Sequence, residues 1–220
     1  MIKRFHSLYV GQIELENIGL AGTPADQHVC IVDPVDHTAR PEGEVGEIWV
    51  HGPNVATSYW GQPERSEEVF NGSLVGGEDG LPAGRWLRTG DLGVSHGGQL
   101  YITGRLKDLI IVDGKNHYPQ DIEQTVQDAH PAVQPGRVAA FGIATDAGEA
   151  IVVVMERARG AGDDVSAQEI SLAIRRAVAA AHDLKLRDVH ILNGEKVLRT
   201  SSGKIARAAN RDRYLARHAA

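Results

Sequence analysis

The sequence predicts an α+β protein in two parts: a small β-rich region over residues 1–104, then a small α+β domain over 105–220. Three observations carry this. The first hundred residues are rich in glycine, with short apolar segments at 29–32, 47–50 and 99–102 set apart by turn residues roughly every ten positions, the rhythm of short strands. After about residue 104, helix signatures alternate with strand-like runs. The composition, 42% hydrophobic and 24% charged over 220 residues, is that of a chain that buries a core in one or two domains.

The elements follow in chain order. VCIV at 29–32 and the run 47–50 read as strands, the second framed by Gly43, Gly46 and Gly52. Pro63-Glu64-Arg65-Ser66 opens a short helix ending near Phe70, where Asn71-Gly72 makes a turn. A further strand is expected at 99–102. LIIV at 109–112 and IVVVM at 151–155 are far short of the roughly 18 apolar residues of a membrane span and read as buried strands. Asp113-Gly114 is a hairpin signal. A helix begins at Pro119, buries Ile122, Val126 and Ala129, and stops before Pro131. Strands at 137–143 and 150–156 form a pair. Ser166 and Glu169 make a capping box for a helix with the stripe Ile170, Ile174 and Val178, and 189–192 is a third strand.

Charge and cysteine content narrow the function. With 23 Lys plus Arg against 29 Asp plus Glu, the net charge of −6 gives no general attraction to nucleic acid or anionic lipid. Cys30 is the single cysteine, which excludes an intramolecular disulfide and a cysteine zinc site; the ten histidines form no HExxH pair, so no metal site is expected. Lys3 and Arg4 are not followed by a signal-peptide apolar region, and a cytoplasmic location is expected. From Lys196 onward, Lys196, Arg199, Lys204, Arg207, Arg211, Arg213 and Arg217 face one acid, Asp212; the plain reading is a solvated final helix.

Four segments invite chemistry. GEVGEIWVHGPNVATSYW at 43–60 frames a strand with glycines. In Arg88-Thr89-Gly90-Asp91-Leu92, Gly90 lets backbone approach a ligand and Asp91 offers a carboxylate to two adjacent hydroxyls, with a plain capped turn as the rival. GRLKDLIIVDGKNHYPQDIE at 104–123 joins a charged cluster, a short strand, a turn and a helix start. Arg199-Thr200-Ser201-Ser202-Gly203-Lys204-Ile205 is not a P-loop, because Leu198 stands where its first glycine belongs and no Ser or Thr follows Lys204. Lys204 is then a point charge on a mobile loop, suited to an anionic oxygen.

In this order the four segments resemble the closing motifs of the adenylate-forming superfamily, and IVDP at 31–34, GPNVATSYW, KDLIIVDGKNHYPQDIE and RTSSGKIAR are most similar to the fatty-acyl-AMP ligases. The resemblance implies that residues 1–104 are the last subdomain of a large adenylation domain and 105–220 the small lid domain. It implies that Asp91 holds the ribose hydroxyls of the nucleotide, Arg105 contacts the same sugar or its phosphate, and Lys107 is the hinge. Lys204 would be the catalytic lysine at the α-phosphate, and Gly114 would lie in the turn brought in during transfer. ATP and Mg²⁺ are the implied cofactors. A fatty acid is the implied substrate, and an acyl carrier protein of a polyketide or peptide synthase the implied acceptor. The phosphate-gripping loop, adenine motif and acyl tunnel of complete members are absent from these 220 residues, so a fragment inactive alone is expected. A long-chain acyl-CoA ligase fragment and a non-catalytic docking module are the alternatives.

Overall fold

The computed structural model describes the backbone of residues 12–14 and residues 27–76, 80–146, 148–160 and 165–218. Lys3 and Arg4 lie outside them. The chain forms two compact units, Met1–Lys107 and Asp108–Ala220.

The first unit is an antiparallel sheet of β1 (Gln12–Glu14), β2 (His28–Val32), β3 (Val45–His51), β4 (Leu87–His96) and β5 (Gln99–Arg105), in the order β1-β5-β4-β3-β2. Alternate residues face opposite sides of a strand, so Cys30, Val32 and Trp49 pack with Trp86 on one face, and Ile31, Ile48 and Leu100 on the other. Both faces are apolar, which is why 29–32 reads as an unbroken apolar run rather than an alternating one. Helix α1 (Pro63–Phe70) starts on its proline and is anchored by Ser66, whose hydroxyl donates to Gln62 O at 2.6 Å and accepts from Tyr59 N at 2.8 Å.

Gly46 shows how close β3 approaches β2. A Cβ there would lie 2.5 Å from Val32 O, a backbone atom that cannot swing aside. Gly46→Ala is expected to destabilise the unit by about 1–3 kcal/mol, as overpacking against backbone does, and urea unfolding should show it as a lower midpoint at unchanged slope.

The second unit holds a two-stranded hairpin of β6 (Ile110–Val112) and β7 (Lys115–His117), helix α2 (Pro119–Ala129), strands β8 (Val133–Thr145) and β9 (Gly148–Arg157), helix α3 (Ala167–His182), strand β10 (Leu186–Leu192) and helix α4 (Arg207–His218). The sheet order is β10-β9-β8, with β8 antiparallel and β10 parallel to β9, as the helical crossover α3 requires. Alternation sorts the helices. Val138, Ala140, Val153 and Met155 face Ile122 and Val126 of α2 and Ile170, Ile174 and Val178 of α3; Ala139, Phe141, Val152 and Val154 face Tyr214 of α4. Ser166 Oγ caps α3 by accepting from Glu169 N at 3.1 Å, and Asp183 closes it in the left-handed region at φ 56°.

Two expectations need correction. LIIV is not a wholly buried strand: Ile110 is enclosed, but Ile111 is 52% exposed, because a two-residue-turn hairpin buries only one side. Arg88–Leu92 is neither loop nor turn but part of β4. No helix among the described residues is long and apolar enough to cross a membrane.

Candidate functional site

In the first unit the candidate residues gather where β4 is bulged. Glu47 of β3 pairs with Leu92 and Trp49 with Arg88, so Ile48 alone stands opposite Thr89, Gly90 and Asp91. The excess residues need new hydrogen-bond partners. Gly90 N donates to Glu47 Oε1 at 3.1 Å, and Asp91 N to Thr89 Oγ1 at 3.1 Å, while Thr89 Oγ1 donates to Ile48 O at 2.7 Å. Gly90 adopts φ 71°, which glycine takes without strain. Glu47 is fully buried, and its Oε2 also accepts from Trp49 Nε1 at 2.9 Å and from Arg88 Nε and NH2 at 3.1 and 3.0 Å.

The bulge hands Asp91 to β5, where it stands in register with Arg105; Arg105 Nε lies 3.1 Å from Asp91 Oδ1. The structure thus brings these two sequence candidates together. Their side chains are 34% and 56% exposed, so the pair contributes little to stability, of order 0–1 kcal/mol. It is partly open to solvent.

In the second unit Lys204 sits in a hydrogen-bonded clasp. Arg199 bridges Ile205, Thr200 N donates to Lys204 O at 2.8 Å, Gly203 N to Thr200 O at 2.9 Å, and Lys204 N to Thr200 Oγ1 at 3.2 Å. Buried Asn210 of α4 pins the clasp: its Oδ1 accepts from Leu198 N and its Nδ2 donates to Leu198 O and Ala206 O, all within 2.9 Å. Lys204 itself is exposed, and among the described residues its ammonium makes no ion pair.

Arg207 departs from the solvated-helix reading. At the start of α4 it donates to Glu123 Oε1 and Oε2 at 2.8 and 2.7 Å and to Asp108 Oδ2 at 3.1 Å, with Glu123 also accepting from Ala140 N at 3.0 Å. Burial alone would lower its pKa, but the two carboxylates outweigh it and hold the guanidinium above its usual value. In sequence Arg207 is one charge of a basic tail; the clue to its burial is that Glu123 occupies the apolar face of α2 beside Ile122 and Val126, where an acid demands a cation.

Lys107 is exposed in the 3₁₀ turn Leu106–Asp108, the last residue of the first unit. Gly114 lies in the β6–β7 turn at φ 73°, after Asp113 at 51°, both left-handed as that two-residue turn requires.

Two histidines far apart in sequence converge beside an aspartate. Asp188 and His190, two apart on β10, meet His218 of α4 with ligand atoms within 4.8 Å of one another. Asp188 Oδ2 already accepts from Tyr214 at 3.0 Å, and burial and that bond push the tyrosine hydroxyl up to about 12. Arg213 and Arg217 line a hollow beside His190 and Tyr214 and bring positive charge near that imidazole.

Residues 107–220 match the family model described as Disco-interacting protein 2-like, AMP domain. The chain is 44% identical over 197 residues to long-chain-fatty-acid–AMP ligase FadD26 of Mycobacterium marinum, covering 88% of this chain and 33% of that protein. It is 40% identical over 222 residues to 4-hydroxyphenylalkanoate adenylyltransferase of Mycobacterium tuberculosis, covering 96% of this chain and 35% of that protein. Among solved structures, one from a study of fatty acyl-adenylate ligases from E. coli and L. pneumophila matches with a TM-score of 0.67 and 29% identity, over 88% of this chain and 31% of that one. The chain spans about a third of the length of these relatives. With the β4 bulge, the lysine clasp and these matches together, the chain belongs to the Disco-interacting protein 2-like AMP-domain family of adenylate-forming proteins.

Proposed function

We propose that this chain supplies the ribose-side and lysine-bearing parts of an ATP-dependent, AMP-forming fatty-acid ligase. The observation that carries the reading is the Asp91–Arg105 pair, fixed by a strand bulge yet open to solvent. A carboxylate offered from rigid backbone accepts hydrogen bonds from vicinal ribose hydroxyls, and the neighbouring guanidinium meets sugar or phosphate oxygen. The identity to a fatty-acid–AMP ligase supports a fatty acid as the carboxylate substrate.

In the reaction, the fatty carboxylate attacks the α-phosphorus of ATP, an acyl–phosphate anhydride bond forms, and pyrophosphate leaves. Two anions must meet. A cation at about 4 Å offsets on the order of 4 kcal/mol of that repulsion at an effective dielectric near 20. Lys204, preset by its clasp and unpaired by any described acid, is assigned that role. In the second step the thiol of an acyl carrier protein attacks the mixed anhydride, forming a thioester and releasing AMP. Lys107 is assigned as the pivot between the two steps, and Gly114 as the turn that approaches during transfer. Among the described residues the three-ligand group Asp188–His190–His218 is nitrogen-rich and does not suit Mg²⁺, which prefers oxygen donors; no step is routed through a metal.

The test is fatty-acid-dependent release of pyrophosphate from ATP, run on the native protein and on the 220-residue chain. The native protein should turn over and the chain alone should not. Absence of turnover in the native protein with any fatty acid would refute the reading, as would robust turnover by the chain alone for the division of labour. Sizing the native protein in cell extract separates the ligase from a free-standing docking module.

A further inference from the structure

We infer that Glu47 is a positioning residue for the nucleotide: its carboxylate builds the bulge that presents Asp91, an inference that rests on the proposed ribose role of Asp91. Glu47 comes from β3, which bears none of the proposed ligand contacts, and it is fully buried. A buried carboxylate is costly unless its lone pairs are filled, and here Trp49 Nε1, Arg88 Nε, Arg88 NH2 and Gly90 N fill them. Three of these contacts are to side chains and could be met elsewhere in a sheet. The fourth could not.

Gly90 N belongs to the stretch that has lost its ladder partner, since Ile48 alone faces three residues of β4. Glu47 Oε1 replaces the missing ladder acceptor. On the other side of the same stretch, Thr89 Oγ1 receives Asp91 N and donates to Ile48 O. The backbone of Gly90 and Asp91 is therefore clamped between two side chains, one ionic and one hydroxyl, and Arg88 lies over Trp49, its guanidinium carbon 5.5 Å from the ring centroid. Every contact to Glu47 is a donor facing it, so the carboxylate must remain an acceptor at both oxygens. Glutamine, of nearly the same shape, turns an amide NH₂ toward at least one donor.

The experiment compares Glu47→Gln, Thr89→Val and Asp91→Ala in the native enzyme, measuring KM for ATP, kcat, and the preference for ATP over 3′-deoxy-ATP. Glu47→Gln is expected to raise KM for ATP about tenfold, the scale of one lost charge-assisted hydrogen bond, with kcat within about twofold, and to reduce the preference for the 3′-hydroxyl. Thr89→Val should act in the same direction, and combining either with Asp91→Ala should add little, because the clamp works through Asp91. If Asp91→Ala removes the hydroxyl preference while Glu47→Gln and Thr89→Val leave it intact, the positioning role is overturned and the ribose reading stands. If Asp91→Ala leaves the preference intact, the ribose reading itself fails. Should Glu47→Gln not fold, Thr89→Val decides alone: unchanged preference overturns the clamp.

Discussion

Lys204→Ala in the native enzyme is expected to slow adenylate formation by roughly 10²–10³, the loss that follows removal of one preorganised charge contact from a developing transition state. Transfer of a preformed acyl-adenylate to the carrier thiol should stay near wild type, because the role proposed for the lysine is confined to the step in which carboxylate meets phosphate. The clasp makes the comparison clean. Its backbone bonds, Thr200 N to Lys204 O and Lys204 N to Thr200 Oγ1, do not involve the lysine side chain, so alanine leaves the loop standing. Pyrophosphate exchange and carrier loading measure the two steps separately. Lys107→Pro should show the reverse asymmetry if Lys107 has the pivot role proposed for it, sparing adenylation more than transfer, since a fixed φ restricts backbone rotation without touching the reacting groups. Equal slowing of both steps by Lys204→Ala would remove that assignment.

Arg207→Met is expected to destabilise the second unit by about 3 kcal/mol. The methionine keeps the aliphatic volume and removes the cation, leaving Glu123 and Asp108 as neighbouring carboxylates with no counter-charge. Breaking a buried pair typically costs about 3–5 kcal/mol. The low end applies because Arg207 and Asp108 retain 20% and 21% of their side-chain exposure, while Glu123 keeps 9%. Arg207→Lys should recover only part of the loss, since an ammonium cannot reproduce the fork that engages both oxygens of Glu123 and one of Asp108 together.

Much of the fold was legible because its signals are local. Pro63 and Pro119 mark helix starts, Ser166 and Glu169 make a cap, and Ile170, Ile174 and Val178 make a stripe, each determined within a few residues. The family was legible too, from four ordered motifs. What escaped was long-range pairing. Arg88-Thr89-Gly90-Asp91-Leu92 looks like a loop because its glycine and aspartate are turn formers, yet it is strand, since Glu47 more than forty residues away supplies the acceptor that ladder geometry lacks. Arg207 looks like one surface charge in a basic tail; its partners lie 84 and 99 residues earlier. Asn210, which pins the lysine clasp, carries no sequence signal beyond being a polar residue on the buried side of an otherwise charged helix.

The tryptophans give the molecule two separable optical reporters. All three, Trp49, Trp60 and Trp86, fall in the first unit, where Trp49 and Trp86 are sealed in the sheet core and Trp60 stands fully in solvent. The second unit has none, but it carries α2, α3 and α4, three of the four α-helices among the described residues. Indole emission will therefore follow melting of the β-rich unit, and ellipticity at 222 nm will follow chiefly the helical one. Gly46→Ala should shift the fluorescence transition and Arg207→Met the ellipticity transition.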